Sequence, residues 1–188
     1  MKKIIPILVL LLGFLGLAIY ISYDQSKTDQ TFQKTWTLEN PEHQKIEIYG
    51  TEQPIELQIF QTTNKNTTVS ITGKLSKSSV ESIKDSELTD NMLYVPISKH
   101  GFRLLTTSAG KDHLTITVEL GNQVLLDKIF LDSVSGEINV KVPQSFEGHY
   151  DITLNNGAHL KEVPHTNQTS QSIVKIDAYS DVRIVKGD

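Results

Sequence analysis

The chain of 188 residues has no cysteine. That one absence excludes disulfides, thiol nucleophiles, thiolate metal sites and an acylated-cysteine lipid anchor. Aromatic residues make up 7% of the chain, with a single tryptophan, Trp36, which argues against a sugar-stacking cleft rich in rings. There is no G-x-S-x-G elbow and no H-x-x-x-H or H-x-H spacing among His43, His100, His113, His149, His159 and His165, and the ending Val185-Lys186-Gly187-Asp188 weighs against the expectation of a surface-adhesion protein held by a wall-sorting tail. Positive charge is also scarce beyond the first residues. From Tyr23 onward the 18 basic residues less Lys2 and Lys3 leave 16, against 22 acidic ones, a net of −6. A surface of that sign disfavours nucleic acid and adhesion to anionic polymers by bulk charge.

What is present begins at the N-terminus. Lys2 and Lys3 precede an unbroken apolar run, IIPILVLLLGFLGLAIYI, from Ile4 to Ile21. As a helix this run covers roughly 27 Å of a hydrocarbon core about 30 Å thick. Pro6 lies in the first turns, where its missing N–H costs least. The expectation is a single-pass signal anchor with the N-terminus cytoplasmic and the remainder outside, because flanking Lys is retained in the cytoplasm. A cleaved signal peptide is the alternative, with Gly16-Leu17-Ala18 as a weak cleavage site. The expected organisation is a cytoplasmic tail over 1–3, the anchor over 4–22, a polar stalk over 23–44 and an all-β domain over 45–188.

The all-β expectation rests on period two. KIEIY, PIELQIF, TVSIT, HLTITVEL, KIFL, EINVKV, YDITL, SIVKIDA and VRIV alternate apolar with polar residues and are rich in β-branched side chains. Residues 76–90 (SKSSVESIKDSELTD) read as a weak helix or a polar loop. Leu131, Leu154 and Ile176 recur at steps of 23 and 22, each preceded two positions earlier by an apolar residue (Ile129, Ile152, Val174). Ile138, Leu160 and Val182 follow at steps of 22, and Ile46, Ile48, Ile55 and Leu57 reproduce the unit with the seven-residue interval of Leu131 to Ile138. A period of this length means stacked units, each of the form strand, tight corner, strand. The expected fold is therefore a β-solenoid-like stack. An antiparallel β-sandwich is the alternative, with Asn156-Gly157 and Gly121-Asn122 as hairpin turns.

Candidate chemistry is sparse. Ser108-Ala-Gly-Lys111 matches S-x-x-K but lacks the S-D-N and K-T-G companions of a serine acyl-enzyme. Asp132 to Glu137 has the acids and glycine of a calcium loop, but Val134 interrupts the alternate oxygen ligands. Asp85, Glu87 and Asp90 read as a solvated acidic loop, and the sequons at Asn66 and Asn167 are expected by chance in an Asn/Thr-rich chain. No catalytic, cofactor-binding or metal residue is assigned, and no cofactor is expected.

Leu114-Thr-Ile-Thr-Val118, then Ile129-Phe-Leu-Asp-Ser-Val-Ser-Gly-Glu-Ile-Asn-Val140 and Val142-Pro143, resemble the bacterial "putative adhesin" domain, whose units read as apolar strand, Ser/Asn-x-Gly-acidic corner, apolar strand. The resemblance covers roughly 45–186 and departs from the pattern at Ser180, which stands where the corner glycine would be. It implies a β-solenoid-like fold without established catalytic residues. With the N-terminal anchor, it is similar to the membrane-anchored members found in Gram-positive cell-envelope-stress operons. The function this implies is non-enzymatic: a scaffold or binding protein of the cell envelope, with the membrane and an envelope protein or wall polymer as partners and no nucleic acid. A wall- or polysaccharide-active enzyme and a surface adhesin are the alternatives.

Overall fold

The structure, a computed structural model, describes residues 4–39, 43–98, 111–122 and 124–187, with the side chains of 4–6 and 24–26 left aside. Helix α1 (Ile4–Ser26) is followed by β1 (Thr28–Leu38), β2 (Gln44–Thr51), β3 (Ile55–Gln61), β4 (Thr67–Ser76), helix α2 (Lys77–Ile83), β5 (Glu87–Leu88) and β6 (Met92–Pro96). Then come β7 (Leu114–Leu120), β8 (Leu126–Ser133), β9 (Ile138–Pro143), β10 (His149–Leu154), β11 (Leu160–Glu162), β12 (Ile173–Ala178) and β13 (Val182–Gly187).

Two sheets result. The seven-stranded sheet runs β1-β4-β7-β3-β9-β13-β11 and the six-stranded sheet runs β10-β12-β8-β2-β6-β5. Their inner faces meet in one core in which Ile46, Ile48, Ile55, Leu57, Ile129, Leu131, Ile138, Val174, Ile176, Val182 and Ile184 are fully buried. Each such side chain contributes about 1.5–3 kcal/mol through burial.

The stacked units are explicit in the pairing. Ile46 and Ile48 lie beside Ile129 and Leu131, and Ile55 and Leu57 beside Ile138 and Val140, all in parallel strands. The seven-residue interval is thus shared by β2–β3 and β8–β9. Ile138, Val182 and Leu160 are in register, as the 22-residue step predicts. The upper half of the alignment is corrected: Ile176 pairs with Leu131 and with Ile152, whereas Leu154 pairs with Ala178. The corner after β10 is one residue longer, eight from Ile152 to Leu160 against seven from Leu131 to Ile138, with Asn156 (φ 52°) and Gly157 (φ 77°) both left-handed, and the 23-residue step from Leu131 overshoots Ile152 by two. That Asn-Gly pair joins strands of different sheets, as does Gly121-Asn122 between β7 and β8; neither is a hairpin turn.

Two further findings were not expected. The strands β6 and β7 form another unit, with Leu93 and Val95 beside Ile46 and Ile48 and Leu114 beside Ile55. Nor does the stack follow chain order. Its sequence is β6–β7, β2–β3, β8–β9, β12–β13, β10–β11, so each new unit is laid down beside one that is not always its predecessor. The corners are stitched continuously: Leu114 N–H donates to Pro54 O, Ile55 N–H to Glu137 O, Ile138 N–H to Asp181 O and Val182 N–H to His159 O, at 2.8–3.0 Å.

Residues expected to be a stalk include β1, antiparallel to β4, with Trp36 and Leu38 buried. Trp36 is a packing residue and Lys34 lies over its ring. Within the ambiguous 76–90 segment, α2 forms because the Ser76 hydroxyl accepts from Ser79 N–H as an N-cap. The helix packs against β1, β4 and β6 and closes that end of the core with Ile83.

On α1 the large apolar side chains from Ile7 to Ile21 are exposed. Among the described residues no helix is long and apolar enough to cross a membrane, the side chains described on α1 running from residue 7 to 23.

Candidate binding surface

Alternation fixes what each sheet shows to solvent. With Ile55, Leu57, Ile138, Val140, Val182 and Ile184 turned inward, the outer face of the seven-stranded sheet carries the residues between them. Register then assembles them into rows: Thr72, Thr115, Glu56, Asn139 and Arg183 in one, Thr35, Ser70, Thr117, Gln58, Lys141 and Val185 in the next. The hydroxyl-rich end is tied together, Thr35 and Ser70 hydroxyls lying 2.8 Å apart and Thr68 donating to Glu119 at 3.0 Å.

Toward the other end this face sinks into a depression of about 340 Å³ lined by Glu56, His113, Asn139, Val140, Lys141, Arg183 and Val185. Arg183 Nε donates to Glu162 at 2.9 Å and Gln58 donates to Glu56. Gly187 matters here, since a Cβ at that position would sit 2.0 Å from Lys141 Cε; its absence lets the lysine stem lie across the strand. The surface offers both charges, amides and hydroxyls, the means of holding a polar ligand by several hydrogen bonds.

The opposite outer face differs. Tyr94, Tyr49 and Phe130 pack against one another in tilted pairs across three strands, with centroids 5.2 and 4.8 Å apart. Lys128 pairs with Glu47, and the Tyr49 hydroxyl donates to Glu47 at 3.2 Å. Burial, and secondarily the Glu47 carboxylate, push the Tyr49 phenol up to about 12. The rings tilt against one another by 46° and 59°, so they form a packed ladder instead of a flat platform.

The motifs weighed from sequence fall apart in space or serve the fold. Lys111 donates to the Glu52 carbonyl at 3.1 Å, and Ser108 and His100 lie outside the described residues. The Asp132 carboxylate accepts from Gly50 N–H at 3.0 Å. His43 lies by Asp127, His149 by Thr166 and His159 by Asp181, in separate places. Glu87 and Asp90 are exposed. Among the described residues no three His, Asp or Glu side chains are grouped to hold a metal ion. The depression escaped sequence reading because its lining comes from four segments brought together only by register; alternation identified which residues face outward but not which strands are neighbours.

No family model matches the chain, and no curated relative matches it. Solved structures do. A putative adhesin from Parabacteroides distasonis ATCC 8503 is similar at 14% identity over 86% of this chain, with a TM-score of 0.37; this chain spans 58% of that one. A putative cell adhesion protein from Clostridium sporogenes ATCC 15579 is similar at 12% identity over 84% of this chain and 100% of its own, TM-score 0.32. A putative adhesin from Bacteroides fragilis NCTC 9343 is similar at 12% identity over 84% and 98%, TM-score 0.34.

Proposed function

We propose that this chain is a membrane-tethered, extracytoplasmic, non-enzymatic binding protein, a solenoid-like stack of β-units that presents the outer face of its seven-stranded sheet to an envelope partner. The observation that carries the reading is the continuity of that face: rows of Thr, Ser, Gln and Asn pass into the depression holding Lys141, Arg183 and Glu56. Stacked units bind along such extended surfaces. The tether rests on the apolar run from Ile4 to Ile21 in the sequence, although no helix among the described residues is long and apolar enough to cross a membrane; the apolar side chains described on α1 are exposed all round. Lys2 and Lys3 before it support an outward-facing domain. The envelope-stress context comes from the resemblance of the 114–118 and 129–143 segments.

The test is co-sedimentation of the purified full-length chain, in detergent micelles, with insoluble wall polymer, alongside a membrane pull-down with the same bait. K141A/R183A is expected to reduce retention by at least about tenfold, through the loss of hydrogen bonds to charged groups at two positions. Equal retention of the double variant, with its folding verified by circular dichroism, contradicts the assignment of the face. External protease that spares the domain on intact cells contradicts the outward orientation.

A further inference from the structure

The stack is closed at one end and open at the other. At the β6–β7 end the sheets continue into the antiparallel strands β5, β4 and β1, and α2 fills the gap between them with Ile83. At the β10–β11 end no further strand pairs with β10 or β11 among the described residues, and the 163–172 segment engages the start of β10, Asn167 N–H donating to Gly148 O at 3.1 Å. Leu160 is 40% exposed although its register partners Val182 and Ile138 are 0% exposed. Ile152 is only half-buried beside fully buried Ile176, and Leu154 only half-buried beside fully buried Ala178.

The backbone is open there as well. His149 N–H donates to Ser172 O and Asn155 N–H to Ala178 O, so odd-numbered residues of β10 face β12. Tyr150 faces the other way and its N–H is taken by the Thr166 hydroxyl at 3.2 Å. By alternation, the N–H and C=O groups of Ile152 and Leu154 point away from the sheet. In β11, His159 N–H donates to Asp181 Oδ1 and its carbonyl accepts from Val182, which turns the Leu160 backbone outward, before the register shifts at Glu162.

Edge strands are ordinarily guarded by charge. Here each charge on the last unit is engaged inward: Asp151 with Lys175 at 3.0 Å, Lys161 with Asp181 at 2.9 Å and Glu162 with Arg183 at 2.9 Å. The rim is thereby neutralised toward an approaching strand.

We propose that the β10–β11 end is an interface for a second copy of this chain, joined through a two-fold axis at Thr153. Both sheets end in this one unit, so a single strand from another protein would cover only one of them, whereas the same unit of a second copy supplies both strands at the same separation. The closed opposite end forbids head-to-tail growth, which leaves an isologous, closed dimer. Antiparallel pairing about Thr153 sets Ile152 opposite Leu154 of the second copy, sets Asp151 opposite Asn155 of the second copy, and joins Thr153 to its own equivalent. No like charges meet along β10, and a Thr–Thr pair is among the favourable cross-strand contacts.

The test uses the absence of native cysteine. Full-length T153C in detergent micelles is oxidised beside T115C, whose side chain lies on the outer face of the seven-stranded sheet. T153C is expected to give covalent dimer at least about tenfold faster than T115C, through the raised effective concentration at the axis. T153K, which places two ammonium groups together at an exposed position, is expected to convert the dimer to monomer in sedimentation equilibrium, while T153V leaves it intact. Crosslinking of T153C no faster than T115C, or a dimer insensitive to T153K, overturns the proposal.

Discussion

Gly136→Ala probes the contact between corners. Gly136 adopts φ 98°, and a Cβ there would stand 2.4 Å from the Gln53 carbonyl carbon and 2.5 Å from Pro54 N, both backbone atoms of the neighbouring unit. Two costs add. Holding alanine at positive φ costs about 1–2 kcal/mol, and forcing adjacent backbone apart costs a further 1–3 kcal/mol or so. The displacement would also strain the bonds the corner makes, Gly136 N–H to Ser180 Oγ and Ile55 N–H to Glu137 O. The total is about 2–5 kcal/mol. Gly157→Ala is the internal reference: φ is 77° but a Cβ would meet nothing within 4 Å, so only the conformational cost applies. Thermal unfolding followed by circular dichroism reads the difference, at about 2–4 °C per kcal/mol for a domain of this size. Gly157→Ala should lower Tm by a few degrees and Gly136→Ala by roughly two to three times as much. Equal shifts would refute the stacking of these corners.

Core and surface should separate cleanly. Ile176→Ala, fully buried in the column between Leu131 and Ile152, is expected to cost about 2–5 kcal/mol in urea unfolding; Leu125→Ala, 50% exposed, should stay within about 0.5 kcal/mol. The raised Tyr49 phenol predicts a loss of stability in alkali. Below pH 10 both folded and unfolded chains keep that proton; between pH 10 and about 12 the unfolded chain releases it first, so stability falls as pH rises. Tyr49→Phe should therefore lose less stability than the parent across that window, measured by urea midpoints at matched pH, and parallel curves would contradict the burial of this hydroxyl. At the other extreme, Lys161 and the His159 backbone N–H hold the Asp181 carboxyl below its usual range. Its contribution is present above the unfolded carboxylate range and disappears as pH drops through the lowered value, so Asp181→Asn should flatten acid unfolding.

Much of this architecture was written in local pattern. Ile46, Ile48, Ile55 and Leu57 matched Ile129, Leu131, Ile138 and Val140 because alternation and a seven-residue corner are properties of one segment at a time. Leu154 was displaced by two residues because corner length varies between units and a fixed step cannot register it. The β6–β7 unit went unnoticed since a long connection replaces the short corner between Val95 and Leu114. The strand β1 hid in polar sequence: it is an edge strand, and only Trp36 and Leu38 reach deep burial. Stacking order could not be read at all, for the units carry nearly interchangeable aliphatic columns. The rows that build the depression depend on that order, so Glu56, Asn139 and Arg183 could be placed on an outer face but not side by side.

The nested order of the units underlies the surface, the depression and the open end alike. In a chain without native cysteine, N139C/R183C and N139C/K161C can be compared by reaction with dibromobimane, which fluoresces on bridging two nearby thiols. Asn139 and Arg183 are register partners on adjacent strands, whereas Lys161 lies a further strand away, roughly 10 Å from Asn139. Strong fluorescence from N139C/R183C and little from N139C/K161C is the predicted result. The reverse pattern, which stacking in chain order would produce, contradicts the account.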